Sequence, residues 1–319
     1  MCNKYKKDIY VASCVKSGGI YHYTLEDGVC SFVSITKMDR PMYMVIDNRK
    51  MYIVLRAPFE NNESGVLVYD LDENGDLINP SEIISTKGEV ACHIDVHDGR
   101  VYCANYTSGS VILLPDKLVE HKGVGIHPTR QEGPHVHYVG VTPDERYICV
   151  TDLGLDTIYL YRTDMTLQGS VKVPEGHGVR HLAFSDDGKY LFAVNELKST
   201  VAAFSYNDGK LDFVDIHSCL PETFTGDSTA SAIRVRDGLI YVSNRGHDSI
   251  AVLQFQNERL ELKNHVYCGG KTPRDFVFLG KYLLCTNQDS NTVSLLDADN
   301  GCAHLCDLDV EMPICVCCH

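Results

Sequence analysis

Residues 240–244 read Ile-Tyr-Val-Ser-Asn, an apolar run of strand length that ends in a polar residue. Similar runs recur along the whole chain, with starts 42 to 50 residues apart: Ile9–Ser13, Met51–Leu55, Val101–Asn105, Ile148–Asp152, Leu191–Asn195, Ile240–Asn244 and Leu283–Asn287. After each run come a loop and then a small residue followed by a β-branched one, which open a further strand. The chain therefore carries seven copies of one β-rich unit.

Turn signals separate the strands of these units. Asp-Gly and Asn-Gly dipeptides, which favour tight hairpins, begin at positions 27, 74, 98, 187, 208, 237 and 300. No long stretch has the 3.6-residue periodicity of a helix. A repeated all-β unit of about 45 residues is typical of a propeller blade, whereas a pair of β-sandwiches would not repeat one residue type at one place. We predict a single all-β domain over residues 1–319: a seven-bladed β-propeller of four-stranded antiparallel blades, closed by pairing of the N- and C-terminal strands.

Composition narrows the possible partners and location. The 319 residues carry a formal net charge of −14, which disfavours nucleic acid or an anionic membrane surface as the main partner. No signal-peptide-like or membrane-spanning apolar run is present in the sequence. The 14 cysteines mostly lie singly within apolar strand runs, so we expect reduced thiols. Together with the missing signal-like and membrane-spanning runs, this predicts a cytoplasmic location. We also expect a monomer or weak homo-oligomer.

Polar residues at the ends of the recurring runs are the first candidates for a site. We expect these runs to be inner strands whose following loops converge on one face of the channel. His135 and His137 have the two-residue spacing that places side chains on one side of a strand. The two histidines could have a structural role, or they could form a weak metal site that lacks a third ligand. Alternatively, one of them could supply an imidazole for catalysis or substrate binding.

A second group of candidates is charged. Arg180 precedes an apolar strand and Glu196 follows the next one, so a hairpin would place both at the same end. They could form an ion pair at the rim, or a guanidinium that binds an oxyanion beside a carboxylate. Arg245 occupies the position of Glu196 one copy later, and Arg274 occupies that of Arg180 in the last copy, as a structural residue or a third rim cation.

Taken together, these motifs resemble those of the propeller lactonase family, which includes the propeller type of 6-phosphogluconolactonase. The resemblance spans nearly the whole chain and depends on segments such as Gly18-Gly-Ile-Tyr21, Pro134-His-Val-His137, Arg180-His-Leu-Ala-Phe184, Asn195-Glu-Leu197 and Ser243-Asn-Arg-Gly-His-Asp248. One departure is Ser231-Ala-Ile233, where family members often have Ala-Glu-Ile. This chain therefore lacks one carboxylate at that rim.

The resemblance implies hydrolysis of an anionic sugar lactone, most of all 6-phosphogluconolactone, without a metal or other cofactor. Matching a related muconate-lactonising branch motif by motif gives four catalytic residues: His137, Arg180, Glu196 and Arg245. The residues expected to bind substrate are His93, His135, Asn195 and Arg274. Either His137 or Glu196 could be the general base.

Two other functions fit the same residues. The site could lactonise a dicarboxylic acid, as a muconate-type cycloisomerase does. Alternatively, the propeller could be a non-enzymatic binding platform, a use to which this fold is often put. A platform would have a large exposed patch and no buried cluster of His, Arg and Glu.

Overall fold

The structure is a computed structural model that describes residues 6–319 as 29 strands and two short 3-10 helices, Gln288–Ser290 and Ala298–Asn300. The strands of the first two blades are β1 (Lys6–Ser13), β2 (Gly19–Glu26), β3 (Val29–Lys37), β4 (Pro41–Asp47), β5 (Lys50–Leu55), β6 (Glu63–Leu71), β7 (Leu77–Ile78) and β8 (Ile84–Glu89). The third and fourth blades comprise β9 (Ala91–His97), β10 (Arg100–Asn105), β11 (Ser110–Leu113), β12 (Lys117–Glu120), β13 (Val136–Val141), β14 (Tyr147–Asp152), β15 (Thr157–Arg162) and β16 (Leu167–Lys172). The remaining strands are β17 (Val179–Phe184), β18 (Tyr190–Asn195), β19 (Thr200–Asn207), β20 (Lys210–Ser218), β21 (Thr229–Arg236), β22 (Leu239–Arg245), β23 (Ser249–Gln256), β24 (Arg259–Tyr267), β25 (Pro273–Leu279), β26 (Tyr282–Asn287), β27 (Thr292–Asp297), β28 (Ala303–Asp309) and β29 (Pro313–Cys318).

These strands form seven antiparallel sheets, six with four strands and the second with a fifth, β8, paired to β6. The first blade contains both ends of the described chain, because β29 pairs with β1 and places Val316 opposite Val11. The predicted seven-bladed propeller and its closure by the terminal strands are therefore confirmed. Within the described residues no helix is long and apolar enough to cross a bilayer.

One strand from each blade lines the central channel. These strands contact one another in turn around a closed ring: β29, β4, β9, β13, β17, β21 and β25. The recurring apolar runs are instead the next strands outward, which pair on both sides and pack both faces against neighbouring blades. Burial on both faces explains why they read as continuous apolar runs, as in β14, where every residue is buried.

The channel strands all begin at the same mouth of the propeller. Each pairs antiparallel with its outward neighbour, so Val179 at the start of β17 lies opposite Asn195 at the end of β18. The starts of the channel strands and the ends of the recurring runs therefore meet at one mouth, as the sequence predicts.

The hydrophobic core lies between the blades. Between the fourth and fifth blades, for example, Cys149 and Leu160 pack with Leu191 and Phe204. All 13 cysteines in residues 6–319 are free thiols, and many of them fill such spaces between sheets.

Candidate functional site

A cavity of about 320 Å³ opens at the mouth where the channel strands begin. Its charged and titratable wall residues come from several blades: Arg56, Arg130, His137, Glu196, Arg245 and Arg274. A much smaller space continues below it into the channel and is bordered by His137, Arg180 and Arg274. Four arginines and one glutamate make the cavity wall strongly cationic in a protein whose net charge is −14.

A β-bulge in each channel strand determines which side chains reach this cavity. The pairing between β17 and β18 skips Arg180, because Val179 lies opposite Asn195 and His181 opposite Val194. The same irregularity occurs near the start of every channel strand, where the residues passed over are Met42, Cys92, His137, Arg180, Ser231 with Ala232, Arg274 and Ile314. A bulge turns one side chain out of the regular alternation, and in six of the seven blades the residue at the bulge borders the cavity or the small space below it.

Glu196 is the central carboxylate of the site. Its Oε2 atom accepts a hydrogen bond from Arg180 Nε at 3.0 Å and forms an ion pair with Arg245 Nη2, also at 3.0 Å. Its Oε1 atom accepts a bond from Arg130 Nη2 at 2.5 Å. Only 4% of Glu196 is exposed. Burial alone would raise its pKa, but the positive charges of Arg245, Arg180 and Arg130 outweigh that effect and hold the pKa below its ordinary value.

Arg180 is held at the floor of the site. Its Nη1 atom donates to the backbone oxygen of Ser231 at 2.9 Å, while its Nε bonds to Glu196. Burial, together with the charge of Arg245, lowers the pKa of Arg180 to about 9. The guanidinium is still protonated near neutral pH, so it provides a fixed positive charge inside the channel.

His137 supplies a neutral imidazole. Burial, followed by the charge of Arg180, lowers its pKa well below the ordinary value. Its Nδ1 lies 3.8 Å from the Sγ of Cys92, and its ring meets that of Tyr106 edge-on at 5.5 Å. Burial raises the pKa of Cys92 to about 12, so this residue is a thiol rather than a thiolate.

Arg130 and Tyr106 were not predicted from the sequence. Arg130 lies in the loop of residues 121–135 between β12 and β13, and its Nη2 also donates to the Tyr106 hydroxyl at 3.3 Å. A loop has no strand periodicity from which a side-chain direction could be inferred. Its length was the available signal, because structureless loops of about 15 residues are uncommon and often functional.

Asp152 ties both ends of this loop to the fourth blade. Its Oδ2 lies 2.7 Å from Nδ1 of His121 at the start of the loop, and its Oδ1 accepts a bond from the backbone N of His135 at the end. Gln131, which is fully buried, donates from Nε2 to the backbone oxygen of Leu153. These contacts fix the part of the loop that presents Arg130.

Five of the eight predicted site residues meet at this mouth: His137, Arg180, Glu196, Arg245 and Arg274. His135 lies beside the cavity, because the bulge at His137 ends the expected alternation and His135 stacks on Tyr106 at 4.5 Å. In residues 6–319 no three His, Cys, Asp or Glu side chains are grouped to hold a metal ion, so the two histidines have no third ligand there.

Asn195 and His93 lie outside the cavity. The Asn195 amide donates to Thr200 Oγ1 at 3.0 Å within its own blade, just as Asn105 donates to Ser110 one strand further on. In these two blades the amide at the end of the strand thus bonds to the start of the adjacent strand, whereas Asn244 donates to the backbone oxygen of Cys219.

His93 follows its bulge residue and points into the channel. Its ring packs on Tyr43 at 4.3 Å, Tyr138 at 4.4 Å and His181 at 5.1 Å. It borders a second cavity of about 490 Å³ at the opposite mouth. Burial lowers the pKa of His93 to about 3. These rings separate the two cavities.

Comparison with known proteins places the chain in a family. Residues 8–319 match the model of the lactonase family described as a seven-bladed β-propeller. An uncharacterised Staphylococcus aureus protein is 31% identical over 93% of this chain and 95% of its own length. A Lactobacillus plantarum protein of known structure is 28% identical, with a TM-score of 0.89 over 99% of this chain and 100% of its own. A candidate 6-phosphogluconolactonase from Bacteroides fragilis is 26% identical, with a TM-score of 0.88 over 100% and 99% of the two chains. The chain belongs to the seven-bladed β-propeller lactonase family.

Proposed function

We propose that this protein hydrolyses an anionic sugar lactone, with 6-phosphogluconolactone as the leading substrate. The observation that carries the proposal is the buried cluster in which three guanidiniums surround Glu196 beside the neutral imidazole of His137. The lactonase family and the name of the Bacteroides fragilis relative support the same reaction class. The cationic wall of the cavity favours a substrate that carries negative charge.

Of the two candidate bases, the geometry favours His137. Both oxygens of Glu196 already accept hydrogen bonds from arginines, which also lower its pKa, so its lone pairs are poorly available to a water molecule. The neutral imidazole of His137 borders the cavity and has a lone pair to accept a proton. We assign Glu196 the role of holding the guanidiniums in place.

In the proposed reaction, His137 accepts a proton from water as the water oxygen attacks the lactone carbonyl carbon. The carbonyl oxygen becomes an oxyanion, which Arg245 and Arg180 stabilise with charges already in place. The tetrahedral intermediate then collapses and the bond between the carbonyl carbon and the ring oxygen breaks. The departing alkoxide takes the proton from the imidazolium of His137, which leaves a hydroxy acid whose carboxyl proton goes to solvent.

The proposal is tested by following lactone hydrolysis at neutral pH with the purified protein. We expect the wild-type chain to open 6-phosphogluconolactone far faster than buffer alone, and the His137→Gln variant to lose most of that activity. A wild-type rate equal to that of buffer, for phosphorylated and neutral lactones alike, would exclude the proposed function.

The same assay addresses the two alternatives. A lactonising cycloisomerase would consume a dicarboxylic acid rather than open a lactone, so a panel that includes such acids separates the two reactions. A binding platform would turn over neither class. The buried His, Arg and Glu cluster favours an enzyme over a platform, because buried charged side chains with strongly shifted pKa values are concentrated at functional sites. Our proposal retains a cytoplasmic location, which fits the free thiols in residues 6–319.

A further inference from the structure

The arginines of the site divide into two groups that differ in charge compensation. Arg130, Arg180 and Arg245 share the carboxylate of Glu196. Arg274 instead donates from Nη1 to Gln288 Oε1 at 3.1 Å, and an amide carries no charge. Among the described residues, no carboxylate lies within ion-pair distance of the Arg56 guanidinium; the residue bonds Ser64 through its backbone oxygen. Within residues 6–319, Arg56 and Arg274 therefore have no carboxylate at ion-pair distance, although the charge of Glu196 still reaches Arg274.

These two arginines belong to the same side of the cavity. Both line its wall. Both also act electrostatically on Cys14, whose Sγ lies 3.3 Å from the sulfur of Met42, another wall residue. Burial raises the pKa of Cys14, and the charges of Arg274 and Arg56 oppose that effect. Both guanidiniums therefore border the space that a single ligand in this cavity would occupy.

Arg274 supports this assignment independently. It occupies the bulge position of β25, so the fold directs it to the centre of the mouth. Burial, and then repulsion from Arg245, lowers its pKa. A half-buried guanidinium with cationic neighbours is stabilised by an anion that enters beside it.

We propose that Arg56 and Arg274 form a subsite for a phosphate monoester on the substrate, and that this subsite selects phosphorylated over neutral lactones. The inference rests on the proposed lactonase function and adds the residues that recognise the remote anionic group. Two guanidiniums can donate several charge-assisted hydrogen bonds to the oxygens of one phosphate. The Glu196 cluster is left to act on the lactone ring.

The experiment compares kcat/KM for 6-phosphogluconolactone with that for the neutral glucono-δ-lactone. The variants are Arg56→Gln and Arg274→Gln. The control is Arg146→Gln, because Arg146 is exposed and pairs with Asp208 away from the cavity. We expect each subsite variant to lower the ratio of the two kcat/KM values about 10–100-fold, chiefly through KM for the phosphorylated lactone. The control should leave the ratio as in wild type.

Calorimetric titration with 6-phosphogluconate, and with gluconate for comparison, gives a readout that does not depend on turnover. We expect wild type to bind the phosphorylated acid more tightly and both subsite variants to lose that preference. If wild type opens no lactone but binds 6-phosphogluconate in a way that depends on Arg56, the proposed lactonase function is wrong and the phosphate subsite is supported. If wild type opens both lactones and neither variant changes the ratio of the two kcat/KM values, the proposed subsite is wrong and the lactonase function is supported. Arg56 is exposed, so its variant decides the matter even if Arg274→Gln does not fold.

Discussion

Arg130 Nη2 lies 2.5 Å from Glu196 Oε1, although 66 positions separate the two residues in the sequence. Glu196 follows β18 in the fifth blade, whereas Arg130 comes from the loop before β13 in the fourth. This contact completes a carboxylate that forms ion pairs with three guanidiniums and accepts hydrogen bonds from two of them, Arg130 and Arg180. The single negative charge of Glu196 offsets much of the mutual repulsion among three neighbouring positive charges.

Replacing Glu196 should therefore affect both stability and turnover. In Glu196→Gln the three guanidiniums lose their shared counter-charge, so we expect the free energy of unfolding to fall by about 3 kcal/mol. We also expect kcat for lactone hydrolysis to drop about 10²–10³-fold, because the cations that face the oxyanion lose their fixed positions. Urea denaturation and steady-state kinetics measure the two effects. Glu261→Gln is the control, since that carboxylate is 68% exposed and pairs with Lys263 on an outer strand; equal effects in both variants would contradict the special role of Glu196.

His137→Gln tests the general base. The variant keeps a polar side chain of similar reach but cannot accept and return a proton, so we expect kcat to fall about 10²–10⁴-fold. Because the pKa of His137 lies well below 6.5, the wild-type imidazole is neutral at neutral pH and activity should persist as the pH falls below 6.5. A pH profile of kcat/KM that loses activity with a midpoint above 6.5 would argue against His137 as the base.

Arg245→Ala tests oxyanion stabilisation. Arg245 borders the cavity, donates from Nη2 to the backbone oxygen of Ala230 at 3.2 Å and forms an ion pair with Glu196. Its loss should reduce kcat about 10²–10³-fold, as expected for removal of one oxyanion donor. Arg100→Ala, an arginine on the outer surface near Thr163, is the matched control. A change confined to KM would assign Arg245 to substrate binding instead.

The bulge in each channel strand explains how much of the site could be predicted from the sequence. The recurring runs predicted the seven blades and the mouth where their ends meet, because buried strands repeat with a fixed period. The sequence motifs identified His137, Arg180 and Arg274 as site residues, and the structure places all three at bulges. Bulges are not visible in a hydrophobic pattern, so the alternation rule grouped His135 with His137 although only His137 borders the cavity.

Site residues that lie on loops could not be predicted from strand periodicity. Arg56 and Arg130 follow no strand period, and their approach to the cavity depends on tertiary contacts that a single sequence does not display. Asn195 shows the opposite case. An asparagine recurs at this place in several blades, where its amide bonds to nearby hydroxyl or backbone groups, and Asn195 has no place in the cavity wall.

Asp152→Asn should act on the site through the loop that carries Arg130. The variant weakens the contact with His121 at one end of the loop while leaving an oxygen for the backbone N of His135 at the other. We expect faster amide hydrogen exchange in residues 121–135 and a higher KM, with kcat reduced less than in Glu196→Gln. Unchanged exchange in this loop would show that Asp152 does not hold it.

The histidines in the channel should make stability depend on pH. Burial lowers the pKa of His93 to about 3 and that of His181 well below the ordinary 6.5. The unfolded chain therefore binds more protons than the folded one at acidic pH, and the free energy of unfolding must fall as the pH drops below 6.5. Each such histidine contributes up to about 1.4 kcal/mol per pH unit between 6.5 and its folded-state pKa.

His93→Phe tests this dependence, because the aromatic ring can still pack against Tyr43 and Tyr138 but cannot take up a proton. Urea denaturation between pH 6 and pH 5 should give a slope of stability against pH that is smaller than in wild type by up to about 1.4 kcal/mol per unit. If His93→Phe keeps the wild-type slope, the folded protein must protonate His93, and the channel at that point must admit water or a counter-charge that stabilises the imidazolium.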